Sequence, residues 1–372
     1  MKRLRPGPAF RDYGGFPGLP PGLAAAARAR RDHFCTCSVA AVTTADRALG
    51  ALTGLAVGDA LGMPTQGMRR ADILADYGPI TGLTAAGPRQ VIAAGMPAGA
   101  VTDDTEQALL LARLLIAGDG RIEPLAFAEA LVGWEQAMAA KGSLDLLGPS
   151  TREAVRRLAA GMPAAEAGRR GATNGAAMRI APVGVATPPA PLAALVDAVV
   201  AASMVTHNTS IGLAAAAAVG AAVSAAVEGG SRADCTELAI AAADSAAGRG
   251  HWVPGGQIGP RIAWVTKHLA AVAPAARADV LDAVVGTSVA AQESVVAAFG
   301  ILAVAPSAWD GVCLAASVGG DTDTIGAIVG SIAGALAGMS AWPADTVHRI
   351  EHVNALDLGP TATGLLRLRA RH

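Results

Sequence analysis

The chain has 372 residues and a net charge of −1, with 52% apolar, 16% charged and 3% aromatic residues. Such a composition supports a sizeable core and excludes global disorder, and the length fits one large domain or two ordinary ones. Near-neutral charge and few rings leave no basic surface for nucleic acid and no aromatic platform for RNA bases.

Taken in chain order, residues 1–44 read as a flexible extension. Met1–Arg31 mixes Arg, Pro and Gly with one short apolar run, Leu23–Ala27, too short for the core of a signal peptide. Cys35 and Cys37 are spaced CxC rather than CxxC, and Cys235 and Cys313 stand alone, which fits four free thiols in a reduced, cytoplasmic protein. Residues 45–372 read as a single domain. Alanine is abundant and aromatics are scarce, which favours helix over strand. Apolar spacing predicts helices over Asp46–Leu61, Thr105–Ala117, Pro124–Ala140, Arg152–Ala160, Pro191–Met204, Ile211–Glu228, Cys235–Ala247, Ile262–Val272, Ala278–Val285 and Gln292–Val304. Breakers separate them, among them Gly118-Asp119-Gly120, Thr187-Pro188-Pro189 and Pro254-Gly255-Gly256. No alternating run makes a persuasive sheet and no fixed period marks a solenoid, so the fold class is all-α, a single multi-helix domain.

Two of the predicted helices carry glycine every four residues: Gly50, Gly54, Gly58 and Gly62, then Gly326, Gly330, Gly334 and Gly338. That spacing keeps the glycines on one face, and each costs about 1 kcal/mol against alanine in a helix interior. Close backbone packing is the return that explains the cost. Ile325–Trp342 is also long and uncharged enough to span a bilayer, where GxxxG is a packing motif. The acidic neighbours Asp321 and Asp323 and the lack of flanking Lys or Arg argue against a membrane. The ladders read better as a tightly packed central helix pair supporting a site.

Both ladders run close to acids. Thr102-Asp103-Asp104-Thr105-Glu106 precedes one helix, and Asp321-Thr322-Asp323-Thr324 opens another. Each can be read as a helix N-terminus, with Asp103 or Asp321 as cap and Glu106 completing a capping box. A cap needs one acceptor, however, and these ends carry two carboxylates and two hydroxyls each. Four carboxylates facing each other would repel without cations. Hard oxygen donors without His or Cys select Mg²⁺, Mn²⁺ or Ca²⁺, and a pair of ions suits the geometry.

The chain resembles the ADP-ribosylglycohydrolase family from about Leu49 to Gly338. The resemblance is carried, in order, by Gly50-Ala51-Leu52-x-Gly54-Leu55-Ala56-x-Gly58-Asp59-Ala60-Leu61-Gly62, Thr102-Asp103-Asp104-Thr105, Gly148-Pro149-Ser150-Thr151, Asn174-Gly175-Ala176-Ala177-Met178-Arg179-Ile180-Ala181-Pro182-x-Gly184, Thr206-His207, and Gly319-Gly320-Asp321-Thr322-Asp323-Thr324-Ile325-Gly326. It implies an orthogonal helical bundle with two Mg²⁺ ions (Mn²⁺ as a substitute) at the bottom of a cleft. The implied ligands are Thr102, Asp103, Asp104, Asp321, Asp323 and Thr324. The implied chemistry is hydrolysis of a ribosyl bond through an oxocarbenium-like state, with Asp103 or Asp104 taking a proton from water.

The middle motifs would hold the rest of the substrate. Asn174, Gly175 and the Gly171–Thr173 turn offer backbone NH groups to phosphate. Arg179 reads as a partner for phosphate or as a structural ion pair. His207 reads as a cleft residue by the resemblance or as a capping or buried histidine by itself. Ser150 and Thr151 read as caps of the following helix or as substrate contacts. Trp134 and Trp264 read as base-stacking candidates or as packing residues. Three departures stand out. Many relatives have glutamate where this chain has Gln66, and Gln66 cannot accept a proton. Around Leu144-Asp145 the acid sits one residue further from Gly148 than in arginine-directed relatives, and His251–Gly256 also looks distinct. The expected activity is removal of ADP-ribose from a protein or small molecule, by a monomer acting away from membranes and nucleic acid. The alternatives are a nucleosidase-like hydrolase of a free ribosyl metabolite and a binding module that does not turn over.

Overall fold

A computed structural model describes residues 42–140 and 147–372 of the chain. The extension up to residue 41, Cys35, Cys37 and the Leu144-Asp145 departure lie outside the described residues. Among the described residues the elements are helical, with three isolated β-bridges and no strand. In chain order the α-helices are α1 (Thr44–Gly62), α2 (Arg70–Tyr77), α3 (Asp103–Ala117), α4 (Pro124–Ala140), α5 (Pro149–Ala159), α6 (Ala164–Ala167), α7 (Ala181–Ala186), α8 (Leu192–His207) and α9 (Ser210–Val227). They continue with α10 (Arg232–Ala246), α11 (Ile258–Ala271), α12 (Arg277–Val280), α13 (Ala291–Val304), α14 (Ala308–Ala315), α15 (Thr322–Ala337), α16 (Ala344–Asn354) and α17 (Gly359–Arg369).

The predicted all-α class is thus observed, and most predicted helices shift by only a few residues. The predicted Ala278–Val285 helix divides into α12 and a π-helical segment, Leu281–Val285. The helices α2, α7, α14, α16 and α17 were not anticipated: most are short, and they are recruited by the surfaces they cover rather than by their own periodicity.

At the centre, α1 and α15 run antiparallel with their glycine faces in contact. Gly50 lies against Gly334, Gly54 against Gly330, Gly58 against Gly326, and Gly62 against Thr322. A methyl added at Gly50 would stand 2.5 Å from the Gly334 carbonyl oxygen, and at Gly54, Gly58 and Gly62 it would come closer still to backbone atoms. Each helix therefore uses its bare backbone as the packing surface of the other. Trp342 locks the far end, its indole NH donating to the Gly50 carbonyl at 3.3 Å. Arg47 covers the open carbonyls at the end of α15, donating to Ala335 and Leu336 at 3.1 and 2.5 Å.

The uncharged segment considered as a membrane span does not form one helix. It breaks after Ala337, where Gly338 turns to φ +72°, and its glycine face is filled by α1. Among the described helices α9 alone is long and apolar enough to cross a membrane, and 94% of that stretch is buried inside the protein. It packs against α7, α8, α10, α13 and α15 as a core helix.

The antiparallel pairing has one consequence for the site. It sets the end of α1, with Asp59, beside the start of α15, with Asp321 and Asp323.

Candidate metal centre

Asp59 is completely buried on α1 and organises the first acidic cluster. Its carboxylate accepts from the Thr102 amide at 3.0 Å, the Thr102 hydroxyl at 2.7 Å, the Thr105 amide at 3.1 Å and the Thr105 hydroxyl at 2.5 Å. The N-cap of α3 is Thr102, in extended conformation and with no side-chain cap of its own. The expected capping box is therefore absent: Asp103 lies inside the first turn, and Glu106 accepts from the Trp134 indole NH. The cap comes from another helix, so neither Asp103 nor Asp104 serves as the cap of α3. Burial raises the Asp59 carboxyl to about 6, against the lowering by the Thr105 and Thr102 donors.

Replacing Asp59 with asparagine should cost ~1–3 kcal/mol of stability, because an amide NH₂ would face donors that the carboxylate now satisfies. A thermal melt unchanged from wild type would contradict this clamp.

The second cluster is held by crossing strands of backbone. Gly319 and Gly320 have φ of +86° and +72°, which only glycine adopts readily. The Gly67 amide donates to Gly320 O at 2.7 Å, Gly320 donates back to Met68 O at 3.0 Å, and Asp321 N donates to Thr287 O at 2.7 Å. Thr322 donates from its hydroxyl to Gly62 O at 2.9 Å and lies 2.9 Å from the Thr65 hydroxyl, so the two helix ends are stitched directly. Asn174 donates to Asp321 Oδ2 at 2.5 Å and to Ser294 Oγ at 2.9 Å.

The clusters meet at Asp104. Its Oδ2 receives the Thr324 hydroxyl at 3.3 Å and lies 3.4 Å from the Thr102 hydroxyl oxygen, whose hydrogen goes to Asp59, while its Oδ1 is buried with no partner. Burial raises the Asp104 carboxyl well above its ordinary range, and Asp323, Asp103, Asp59 and Asp321 push it further, in that order. Asp321 is also raised, chiefly by burial. Among the described residues no three acid, histidine or cysteine side chains stand close enough to form a ready ligand set by themselves. Threonine hydroxyls fill the gaps between carboxylates, and the donor set is entirely oxygen. An orphaned carboxylate oxygen among four further carboxylates fits a hard divalent cation.

A hollow of about 200 Å³ opens onto this cluster, with Gln66, Asp103, Thr173, Asn174, Asp321 and Asp323 in its wall. Gln66 is buried, and its Nε2 has no hydrogen-bond partner. Asp103 also faces a second hollow with Glu106 and Trp134 in its wall.

The other expected contacts are distributed differently. Arg179 and His207 are completely buried and line neither hollow. Arg179 lies over the Phe127 ring at 5.1 Å and donates to Gln107 Oε1 at 3.0 Å and Thr206 Oγ1 at 2.5 Å, so it is a structural cation rather than a phosphate clamp. Gln107 in turn donates to Asp103 Oδ2 at 2.8 Å. Burial pulls the Arg179 guanidinium down to about 10, with Asp103 opposing. The His207 ring lies beneath the wall, 2.8 Å from Thr206 Oγ1 and 2.9 Å from Thr173 Oγ1. Ser150 is half-buried outside the hollow, while Thr151 and Gly175 line it. Trp264 stacks on His268 in α11, and Trp134 serves Glu106. Sequence reasoning did not single out Asp59 or Gln107 for these roles. A fully apolar surround interrupted by one acid, as at Ala56–Leu61, is the signal that marks Asp59.

A family model described as ADP-ribosylglycohydrolase matches residues 40–371. An uncharacterised protein of Escherichia coli K12, YegU, is 32% identical over 328 residues, 87% of this chain and 97% of its own length. The ADP-ribosyl-[dinitrogen reductase] glycohydrolase of Rhodospirillum rubrum is 36% identical over 176 residues, 47% of this chain and 56% of that protein. A solved structure described as an ADP-ribosylglycohydrolase-related protein complex superposes with a TM-score of 0.65 at 29% identity, covering 87% of this chain and 98% of that one.

Proposed function

We propose, from the premise that the chain belongs to the ADP-ribosylglycohydrolase family, that it is a magnesium-dependent hydrolase releasing ADP-ribose from a modified protein or small molecule. The observation that carries this reading is Asp104: a buried carboxylate with an orphaned oxygen, surrounded by four other carboxylates, three of which, Asp103, Asp321 and Asp323, line a hollow. Thr102, Asp103, Asp104, Asp321, Asp323 and Thr324 would hold two Mg²⁺ ions. When bound, such ions orient ribose hydroxyls and lower the pKa of water.

The chain's own residues do the rest. Asn174 and Ser294 fix the rotamer of Asp321. Gln107, braced by Arg179, fixes Asp103. Asp103 lines the hollow and takes the proton released by the attacking water, because Gln66 has no basic atom to offer. The carboxylates around the anomeric carbon stabilise the positive charge that develops there.

Bound Mg²⁺ should raise the melting temperature, since it binds the folded state; occupancy at 100 times Kd contributes ~2.7 kcal/mol. Chelator should reverse the shift and stop turnover. A melting curve indifferent to millimolar Mg²⁺ and Mn²⁺ would remove the metal from the reading.

Gln66 supports a second reading, a nucleosidase-like hydrolase, because it alters the wall that would face the leaving group. Metal-loaded protein incubated with ADP-ribosyl-arginine, an ADP-ribosyl-serine peptide and a nucleoside panel separates the two. Free ADP-ribose from either of the first two supports the leading reading. Free base from nucleosides alone selects the second, and binding of ADP-ribose without any cleavage makes the protein a reader.

A further inference from the structure

Beneath the hollow runs a buried hydrogen-bond chain that links Asp103, Gln107, Arg179, Thr206, His207 and Thr173. Its direction can be worked out from the one member that has no choice. A guanidinium only donates. Arg179 gives Nη1–H to Gln107 Oε1 and Nη2–H to Thr206 Oγ1. Gln107 therefore turns its NH₂ to Asp103, as observed at 2.8 Å. On the other arm, Thr206 Oγ1 has accepted from Arg179, and its own hydrogen goes to His207 Nδ1 at 2.8 Å. The opposite tautomer would make Thr206 accept twice and strand its hydrogen in a site with no solvent contact, which costs the full desolvation of a donor. His207 then carries its proton on Nε2 and donates to Thr173 Oγ1 at 2.9 Å. The Arg179 charge and complete burial both push the imidazole well below its ordinary range, so the ring stays neutral with a single proton.

Thr173 closes the chain. It is half-buried and lines the hollow, and His207 is the one hydrogen-bond partner of its hydroxyl among the described residues. Its backbone is pinned against residues 289–291: Asn174 N donates to Val289 O at 2.9 Å and Ala291 N to Ala172 O at 3.3 Å. With His207 donating to its oxygen, the Thr173 hydroxyl hydrogen is free to donate to a ligand in the hollow that Thr173 lines.

We propose that Thr173 donates the hydrogen bond that positions the substrate by a phosphoryl or carbonyl oxygen, and that Arg179, Thr206 and His207 leave its hydroxyl hydrogen free to do so. The proposal rests on the hydrolase reading for the identity of the ligand and adds the specificity of one wall. Asp103, Asp321 and Asp323 line the same hollow and present acceptors. A ribosyl ligand is thereby oriented end to end, with its hydroxyls toward the acids and its acceptor oxygens toward Thr173.

Calorimetric titration of ADP-ribose and of free ribose into Mg²⁺-loaded wild type, Thr173→Val and Thr173→Ser tests this. Valine keeps the shape and removes the hydroxyl. The expected result is an affinity for ADP-ribose at least about tenfold weaker in Thr173→Val and within about threefold of wild type in Thr173→Ser, the range of a hydrogen bond to a charged acceptor. Ribose affinity should change little in either variant. ¹⁵N NMR of His207 should show a neutral Nε2–H ring from pH 5 to 8 in wild type and in Thr173→Val. Equal ADP-ribose affinity in Thr173→Val and wild type, or an Nδ1–H or doubly protonated ring, overturns the proposal and leaves the hydrolase reading standing. A wild type that binds neither ligand overturns the hydrolase reading and the ligand assignment together.

Discussion

Asp104→Asn is expected to abolish hydrolysis, by at least ~10³-fold, while the metal-free protein melts at or above the wild-type temperature. The two halves of this result come from one arrangement. Asp104 is buried, its Oδ1 has no partner, and Asp323, Asp103, Asp59 and Asp321 all disfavour its charge. Asparagine keeps the shape and removes a charge that the fold resists, so apo stability is retained or gained. The same change removes a central anionic ligand of the proposed metal centre, and the loss should exceed the roughly 10–100-fold typical of outer partners of a metal. The Mg²⁺-induced rise in melting temperature should shrink or vanish in parallel. Full activity in Asp104→Asn, or an apo form that fails to fold, contradicts the assignment of Asp104 to a site paid for in stability.

The second large effect is in the ladder. Gly58→Ala should lower stability by at least ~3 kcal/mol, and Gly54→Ala with Gly58→Ala should leave no cooperative melt. Alanine would improve helix propensity by about 1 kcal/mol, so the sign depends on space. At Gly58 the added methyl meets the carbonyl and backbone of Gly326, with no flexible side chain to move aside. Overpacking of this kind usually costs ~1–3 kcal/mol, and here it must also separate two helices along their length. Gly133 supplies the control. It is exposed in α4 with nothing within 4 Å of a would-be methyl, so Gly133→Ala should stabilise by ~0.5–1 kcal/mol. Equal effects at Gly58 and Gly133 would mean that the ladder is not a packing device.

The ladders, the two acid clusters and the helical class were legible because each is local: a four-residue period, an over-supplied helix end, an alanine-rich composition. What residues 102–105 lacked in sequence was their true cap. Asp59 lies 43 residues before Thr102 and reaches it only through the docking of α1 and α3. Arg179 and His207 illustrate the same limit. Family markers name all three, Arg179 in the same motif as Asn174 and His207 in another, yet Asn174 reaches the hollow and the other two turn beneath it, where Arg179 meets Gln107 of α3 and Thr206 of α8. Short helices such as α7 carry too few residues to announce a period and are called into being by their neighbours.

The glycine ladder also bears on the order of events during synthesis. Thr65 and Thr322, in contact at the site, are 257 residues apart, and Gly50 and Trp342 are 292 apart. Contacts this distant in sequence form late and cannot form while the chain is still emerging. Thr102–Thr105 leaves the ribosome long before α15 exists to face it. The first half of the chain therefore holds an incomplete oxygen cluster, and the proposed divalent-ion site is completed at once, when the last ladder residues dock. Capture of an ion at the proposed site would then report that both ends of the domain have found each other.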